Sequence, residues 1–324
     1  MKKLALTLAC WETDRTRALI QGRVEVQDID LRIEVLRPRE MFARMLDTQE
    51  FDCSELSLAS FAILIGRRSS PFVALPVPLS RLFRHSCIYV RTDAGIARPQ
   101  DLIGKRVGLT QYGATASVYM RGLLSDDFGV RASDVRWFMG GLDAPTQRPL
   151  VPLDLPADIR LDYLSEGETL EAMFERGELD ALLSIYLPKI FLRGSTRIVR
   201  LFPDYRSREE DWFRRTGVFP IMHVVALRKA VHEAYPWAAA NLYEAFRRAR
   251  EMAFESLYDT DSLNVALPWL IHHVEEARAA LGQDYWPYGA SANEAAANAL
   301  GRYVHEQGLS PRCIAAQEIF LPID

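Results

Sequence analysis

Two arginines, a histidine and a serine crowd into Arg81-Leu82-Phe83-Arg84-His85-Ser86, directly before the apolar run Cys87-Ile88-Tyr89-Val90. Arginine offers a planar fork that matches a carboxylate, and imidazole changes charge near neutral pH. The segment reads either as a site for a carboxylated small molecule, with His85 and Arg81 foremost, or as a solvated basic turn. Adjacent strand residues point to opposite faces, so Arg84 and His85 reach one ligand together only from a turn. Upstream, Glu55 precedes Ser57, a hydroxyl placed to cap a helix. A carboxylate at Glu55 can accept a phenolic proton or hydrogen-bond both hydroxyls of a catechol. His223 lies in the apolar Phe219-Pro220-Ile221-Met222-His223-Val224-Val225, where it is a core histidine or a group facing a cleft. Trp11 and Arg15 follow the first predicted strand, and Arg15 could clamp a carboxylate there. Tyr112-Gly113-Ala114-Thr115-Ala116-Ser117 follows another predicted strand and opens a helix. Free N–H groups and the hydroxyls of Thr115 and Ser117 would either receive a carboxylate or simply cap that helix.

These residues need strands and helices to hold them, and the chain supplies both in alternation. Residues 3–9 and 29–36 alternate apolar and polar positions as strands do; 14–21, 38–47 and 57–65 read as helices. Short strands are predicted at 52–56, near 72–77, at 86–91, 107–109 and 137–139, and in the run 218–227. A proline-rich loop spans 143–158. Leu242, Phe246, Ala249 and Ala253 form a core stripe within a late helix. The β-α-β order predicts open sheets layered by helices. Two crossings, near 90 and near 220, divide the chain into a discontinuous first lobe (1–91 plus 220–324) and a second lobe (92–219), with a cleft between them.

The length of 324 residues suits two domains. A net charge of −4 gives no ground for nucleic-acid binding or attraction to an anionic membrane. No run approaches the ~20 apolar residues of a membrane span. Cys10, Cys53, Cys87 and Cys313 are widely spaced, which suits reduced thiols. Lys2-Lys3 and the apolar stretch to Cys10 imitate a lipoprotein signal, but its apolar part is shorter than the usual ~7–15 residues. The alternation of Leu4, Leu6 and Leu8 fits a strand instead, and a cytoplasmic protein. His272 and Glu276 share a helix face without a third ligand, and the charged run Arg206–Asp211 reads as a solvated loop or helix end.

The phrases PVPLSRLFRHSCIYVRTDAGI, PQDLIGKRVGLTQYGATASVYMRGLL, WFMGGLD and TGVFPIMHVVALR resemble the 4,5-dihydroxyphthalate decarboxylase family. The resemblance runs from about Cys10 to about Phe254. It implies an α/β, two-lobed, type 2 periplasmic-binding-protein-like fold with a double hinge. It also implies a cytosolic lyase of phthalate degradation that removes one carboxylate to give protocatechuate. His85 or His223 would then donate a proton to the ring, with Glu55 as base or orienter. Arg81, Arg84 and Arg15 would hold carboxylates, and Ser57, Tyr112, Thr115, Ser117 and Trp11 would line the site. No organic cofactor is implied; a divalent metal held by converging His85, Glu55 and His223 is the minority alternative. The partner is a small aromatic carboxylate, and homo-oligomerisation is left open. Two rivals remain: a non-catalytic aromatic-acid binding protein, and an enzyme of the same fold acting on another carboxylated substrate. In "ELSLASF", Leu56, Ala59-Ser60 and Phe61 stand where the family leads one to expect methionine, two serines and tyrosine.

Overall fold

The computed structural model describes residues 2–144 and 148–324. Its strands form two sheets. The first has the order β2-β1-β3-β11-β4, from β1 (Leu4–Cys10), β2 (Ile29–Val35), β3 (Cys53–Ser57), β4 (Phe72–Arg81) and β11 (Ile221–Arg228). The second has the order β10-β5-β9-β6-β7-β8, from β5 (Ile88–Arg91), β6 (Arg106–Leu109), β7 (Arg136–Met139), β8 (Arg160–Tyr163), β9 (Ala181–Leu183) and β10 (Ile198–Arg200). β1 runs parallel to β2 and β3, whereas β11 is antiparallel to both β3 and β4. The return strand thus sits inside the first sheet.

The helices are α1 (Asp14–Ile20), α2 (Pro38–Thr48), α3 (Leu58–Gly66), α4 (Thr115–Phe128), α5 (Leu170–Arg176), α6 (Lys189–Leu192), α7 (Tyr205–Thr216), α8 (Lys229–Ala234), α9 (Trp237–Ser256), α10 (Leu270–Leu281), α11 (Glu294–Glu306) and α12 (Ala316–Ile319). Period-two alternation sends Leu6, Leu8, Cys10, Val225 and Leu227 to one face of the first sheet, where α9 covers them with Leu242, Phe246 and Ala249. The other face takes Leu56, Val224 and Ala226, packed with Met41 and Phe42 of α2 and Phe61 of α3. Each such leucine or phenylalanine contributes roughly 1.5–3 kcal/mol. The stripe expected on the late helix is buried throughout.

The chain leaves the first sheet at Arg81 and enters the second at Ile88, so β5 belongs to the second sheet and the crossing is Leu82–Cys87. That is earlier than the division at 91 read from the sequence, because the basic segment before β5 is the crossing itself and not a strand entry. A 3-10 turn over His85–Cys87 supplies the turn at Arg84 and His85. The return crossing runs beside it: Leu82 N–H donates to Pro220 O (3.3 Å), and Phe83 stacks on Phe219 with centroids 4.7 Å apart. Of the predicted loop 143–158, residues 145–147 lie outside the described residues; 148–158 contain no helix or strand. Two short strands, β8 and β10, and helix α7 were not anticipated. The charged run Arg206–Asp211 is the first half of α7, with Trp212 buried beneath it. No described helix is long and apolar enough to cross a membrane.

Behind the crossings, α11 packs against both α3 and α4. Gly122 of α4 makes that approach possible, since a Cβ there would lie 2.5 Å from the Tyr303 ring. Tyr119 Oη donates to Ala296 O (2.9 Å), and Asp126 accepts from Arg302 and Tyr303. The two lobes are therefore joined by a helix-on-helix seam as well as by two chain crossings.

Candidate active site

The carboxyl ends of β1, β2 and β3 deliver Trp11, Arg37 and Ser57, and β11 brings His223 opposite Ser57. The centre of the group is a pair: His223 Nδ1 and Glu55 Oε1 lie 2.7 Å apart. Glu55 Oε2 accepts the backbone N–H of Trp11 at 3.0 Å. Both oxygens of this buried carboxylate are thus committed. A carboxylate on Nδ1 selects the tautomer protonated there and leaves Nε2 to face outward. The side chain of His223 is 23% exposed against 4% for Glu55, so the histidine is the member a ligand can reach. Phe42 of α2 meets the imidazole edge-on, with centroids 4.9 Å apart, and fixes its plane. Trp11 is exposed, with the Arg37 guanidinium over its indole at 5.8 Å. Burial, with the charge of Glu55 second, pushes the Cys10 thiol up to about 12, so this neighbouring cysteine stays protonated.

Ser57 and Thr115 also meet, but across the lobes. Their hydroxyls are 3.0 Å apart, Thr115 Oγ1 accepts the Ala59 N–H (3.0 Å), and Ser57 Oγ accepts the Ser60 N–H (3.4 Å). The hydroxyls expected to greet a carboxylate are engaged in capping α3 and tying it to α4. Tyr112 is buried, donates to Gln307 O (3.2 Å) and lies 3.7 Å beneath the Arg121 guanidinium; Ser117 is buried in the first turn of α4.

The basic segment does not join the Glu55–His223 group. Arg81 is buried and donates to Phe219 O (3.0 Å) and Pro287 O (3.2 Å); burial lowers its guanidinium to about 10. Arg84 is buried against Met222 Sδ and Cys87 Sγ. His85 packs between Phe202 and Trp212, with its Nδ1 3.7 Å from Glu209, whose carboxylate accepts the N–H groups of His85 and Ser86. Arg81 thus ties the crossing to the Phe219 and Pro287 carbonyls, Arg84 packs on sulfur, and Glu209 receives the backbone N–H groups of the turn. Arg15 likewise donates to Leu79 O and lies over Trp286 at 4.3 Å. His85 therefore does not converge with Glu55 and His223, and among the described residues no group of three or more His, Cys, Asp or Glu is placed to hold a metal. His272 and His273 both approach Glu276, which Arg206 also engages. Sequence reasoning missed Arg37 and Phe42. The available signal was position: Arg37 follows β2 as Trp11 follows β1 and Ser57 closes β3.

No family model matches the chain. It is 38% identical over 325 residues to the 4,5-dihydroxyphthalate decarboxylase of Comamonas testosteroni, covering 99% of this chain and 98% of that protein. The chain belongs to the 4,5-dihydroxyphthalate decarboxylase family. The Pseudomonas putida member is 38% identical over 214 residues, covering 66% of this chain and 83% of that one. Solved structures place this family member in the periplasmic-binding-protein-like fold. The alkanesulfonate-binding protein of Xanthomonas axonopodis pv. citri superposes with a TM-score of 0.53 at 14% identity, covering 99% of each chain. A Candida albicans protein with the generic periplasmic-binding-protein fold gives 0.51 at 10% identity, covering 100% of this chain and 97% of that one.

Proposed function

We propose that this chain decarboxylates 4,5-dihydroxyphthalate to protocatechuate, with His223 as proton donor and Glu55 as the group that orients it. The family membership over nearly the full chain carries the substrate and reaction class. The paired His223 and Glu55 at the strand ends support the assignment of roles.

The chemical difficulty is the aryl carbanion that direct loss of CO2 would leave. A hydroxyl para to the departing carboxylate offers another course. In this step His223 acts as the imidazolium: its Nε2 gives a proton to the ring carbon bearing that carboxylate, leaving the imidazole with the Nδ1 proton that Glu55 holds, while the para hydroxyl releases its own proton to solvent and the substrate ring becomes a dienone. The bond to the carboxylate carbon then breaks, its electron pair returns to the ring, and CO2 departs. The phenolate regains a proton, and solvent reprotonates His223. The sum is one carboxylate and one proton converted to one C–H bond and one CO2. Trp11 offers its indole face to the ring, and Glu55 holds the imidazole still through the transfer.

The working compartment is the cytoplasm in this reading. The segment that imitates a secretion signal is β1, paired along its length with β2, and its Cys10 is buried. The experiment is to incubate metal-stripped protein with 4,5-dihydroxyphthalate and follow CO2 release with the ultraviolet change of the ring. Stoichiometric CO2 and protocatechuate over many turnovers is the expected result. Tight binding without turnover, unchanged by added divalent metals, would replace the lyase with a receptor for aromatic acids.

A further inference from the structure

A substrate with two carboxylates needs a cation, and each arginine singled out from the sequence already has protein partners. Arg15 serves Leu79 O, Arg81 serves Phe219 O and Pro287 O, and Arg84 lies on two sulfur atoms. Around α2, Arg39 donates to Arg148 O and Arg44 pairs with Glu50. Arg37 differs. Among the described residues its side chain makes no hydrogen bond or ion pair, and its guanidinium rests over the exposed face of Trp11.

Its position ties it to the candidate site. β1 and β2 pair in register up to Cys10 and Val35, so Trp11 and Arg37 leave adjacent strand ends together. The backbone N–H of Trp11 is held by the same carboxylate that holds His223. Arg37 is also the N-cap of α2, the helix that sets Phe42 against the imidazole, and the positive end of that helix favours an anion at this spot.

We infer that Arg37 binds the carboxylate that stays on the ring, exchanging the face of Trp11 for the substrate anion and freeing that face for the ring. The inference rests on the decarboxylase reading for its substrate. The assignment to the retained group follows from charge: a cation gripping the departing carboxylate would oppose its loss as neutral CO2. A grip on the retained group is the same in ground and transition states, so its removal falls on KM rather than kcat.

The test compares wild type with Arg37→Gln and Arg37→Lys, reading kcat and KM along with calorimetric binding of protocatechuate, which keeps the carboxylate, and catechol, which lacks it. Arg37→Gln is expected to raise KM and weaken protocatechuate binding by about tenfold or more, as loss of a charge-assisted bond does, with catechol binding unchanged and Arg37→Lys intermediate. Unchanged KM and protocatechuate affinity would overturn the inference, as would equal losses for protocatechuate and catechol. If wild type binds protocatechuate through Arg37 but releases no CO2 from 4,5-dihydroxyphthalate, the decarboxylase reading fails and the carboxylate site stands.

Discussion

Replacing His223 by glutamine removes the ring nitrogen that faces outward while leaving Glu55 a donor of similar reach. General acid catalysis contributes about 10²–10⁴-fold, so kcat is expected to fall within that range with little change in melting temperature. A coupled CO2 assay beside a thermal melt checks both halves. Arg81→Ala should behave in the opposite way. It strips the carbonyls of Phe219 and Pro287 of a buried charged donor, at a cost of about 3 kcal/mol. The melting temperature should drop while kcat per folded molecule stays near wild type; a kcat loss at full stability would return Arg81 to the substrate. Both members of the candidate pair were visible in the sequence as titratable side chains beside predicted strands. Their contact, across 168 residues of chain, was not, because strand order is set by tertiary packing. The density of Arg81, Arg84 and His85 was legible too, but their packing inside the crossing was not, for a related reason. Arg81 donates to backbone carbonyls and Arg84 packs on sulfur within the crossing, and the same residue types that serve a ligand serve that need. Phe61, where tyrosine was expected, is 1% exposed in the core cluster that also holds Phe42.

Strong apolar periodicity made β1, β2, α1, α2 and α9 legible to within a residue or two. The elements that escaped were those whose own sequence says little. β10 has three residues and β8 four, both at sheet edges, and α7 is so charged that its buried face reduces to Trp212. The seam between α4 and α11 was also hidden, since it depends on which helices meet. Its electrostatics are testable. Burial alone would raise the Asp126 carboxyl, but the Arg302 guanidinium and the Tyr303 hydroxyl hold it below its usual value. A carboxyl depressed in the folded state stabilises above its unfolded value, near 4, and that contribution is lost as pH falls through the folded value. Asp126→Asn should therefore lower the melting temperature at pH 7, and the gap from wild type should close as the pH falls below about 4. A gap that stayed constant over that range would mean that the seam owes nothing to this charge.

At the scale of the whole molecule, the double crossing was foreseeable because two apolar, strand-like runs flank a self-contained middle section. The clamp formed by α11 was not, because the helices that α11 meets, α3 and α4, lie far away in the chain and only tertiary packing brings them together. The placement of β11 between β3 and β4 has a consequence for how the protein is made. All strands of the second sheet have left the ribosome by residue 200, whereas the first sheet waits for residues 221–228 before β4 can join it. The second lobe is thus free to form while the older one is still incomplete, reversing the usual order in which N-terminal units fold first during synthesis. Nascent chains arrested with residues 1–219 emerged should present β4 to added protease, and chains arrested with 1–235 emerged should protect it. Early protection of β4 would show that the first lobe finds some other partner while it waits.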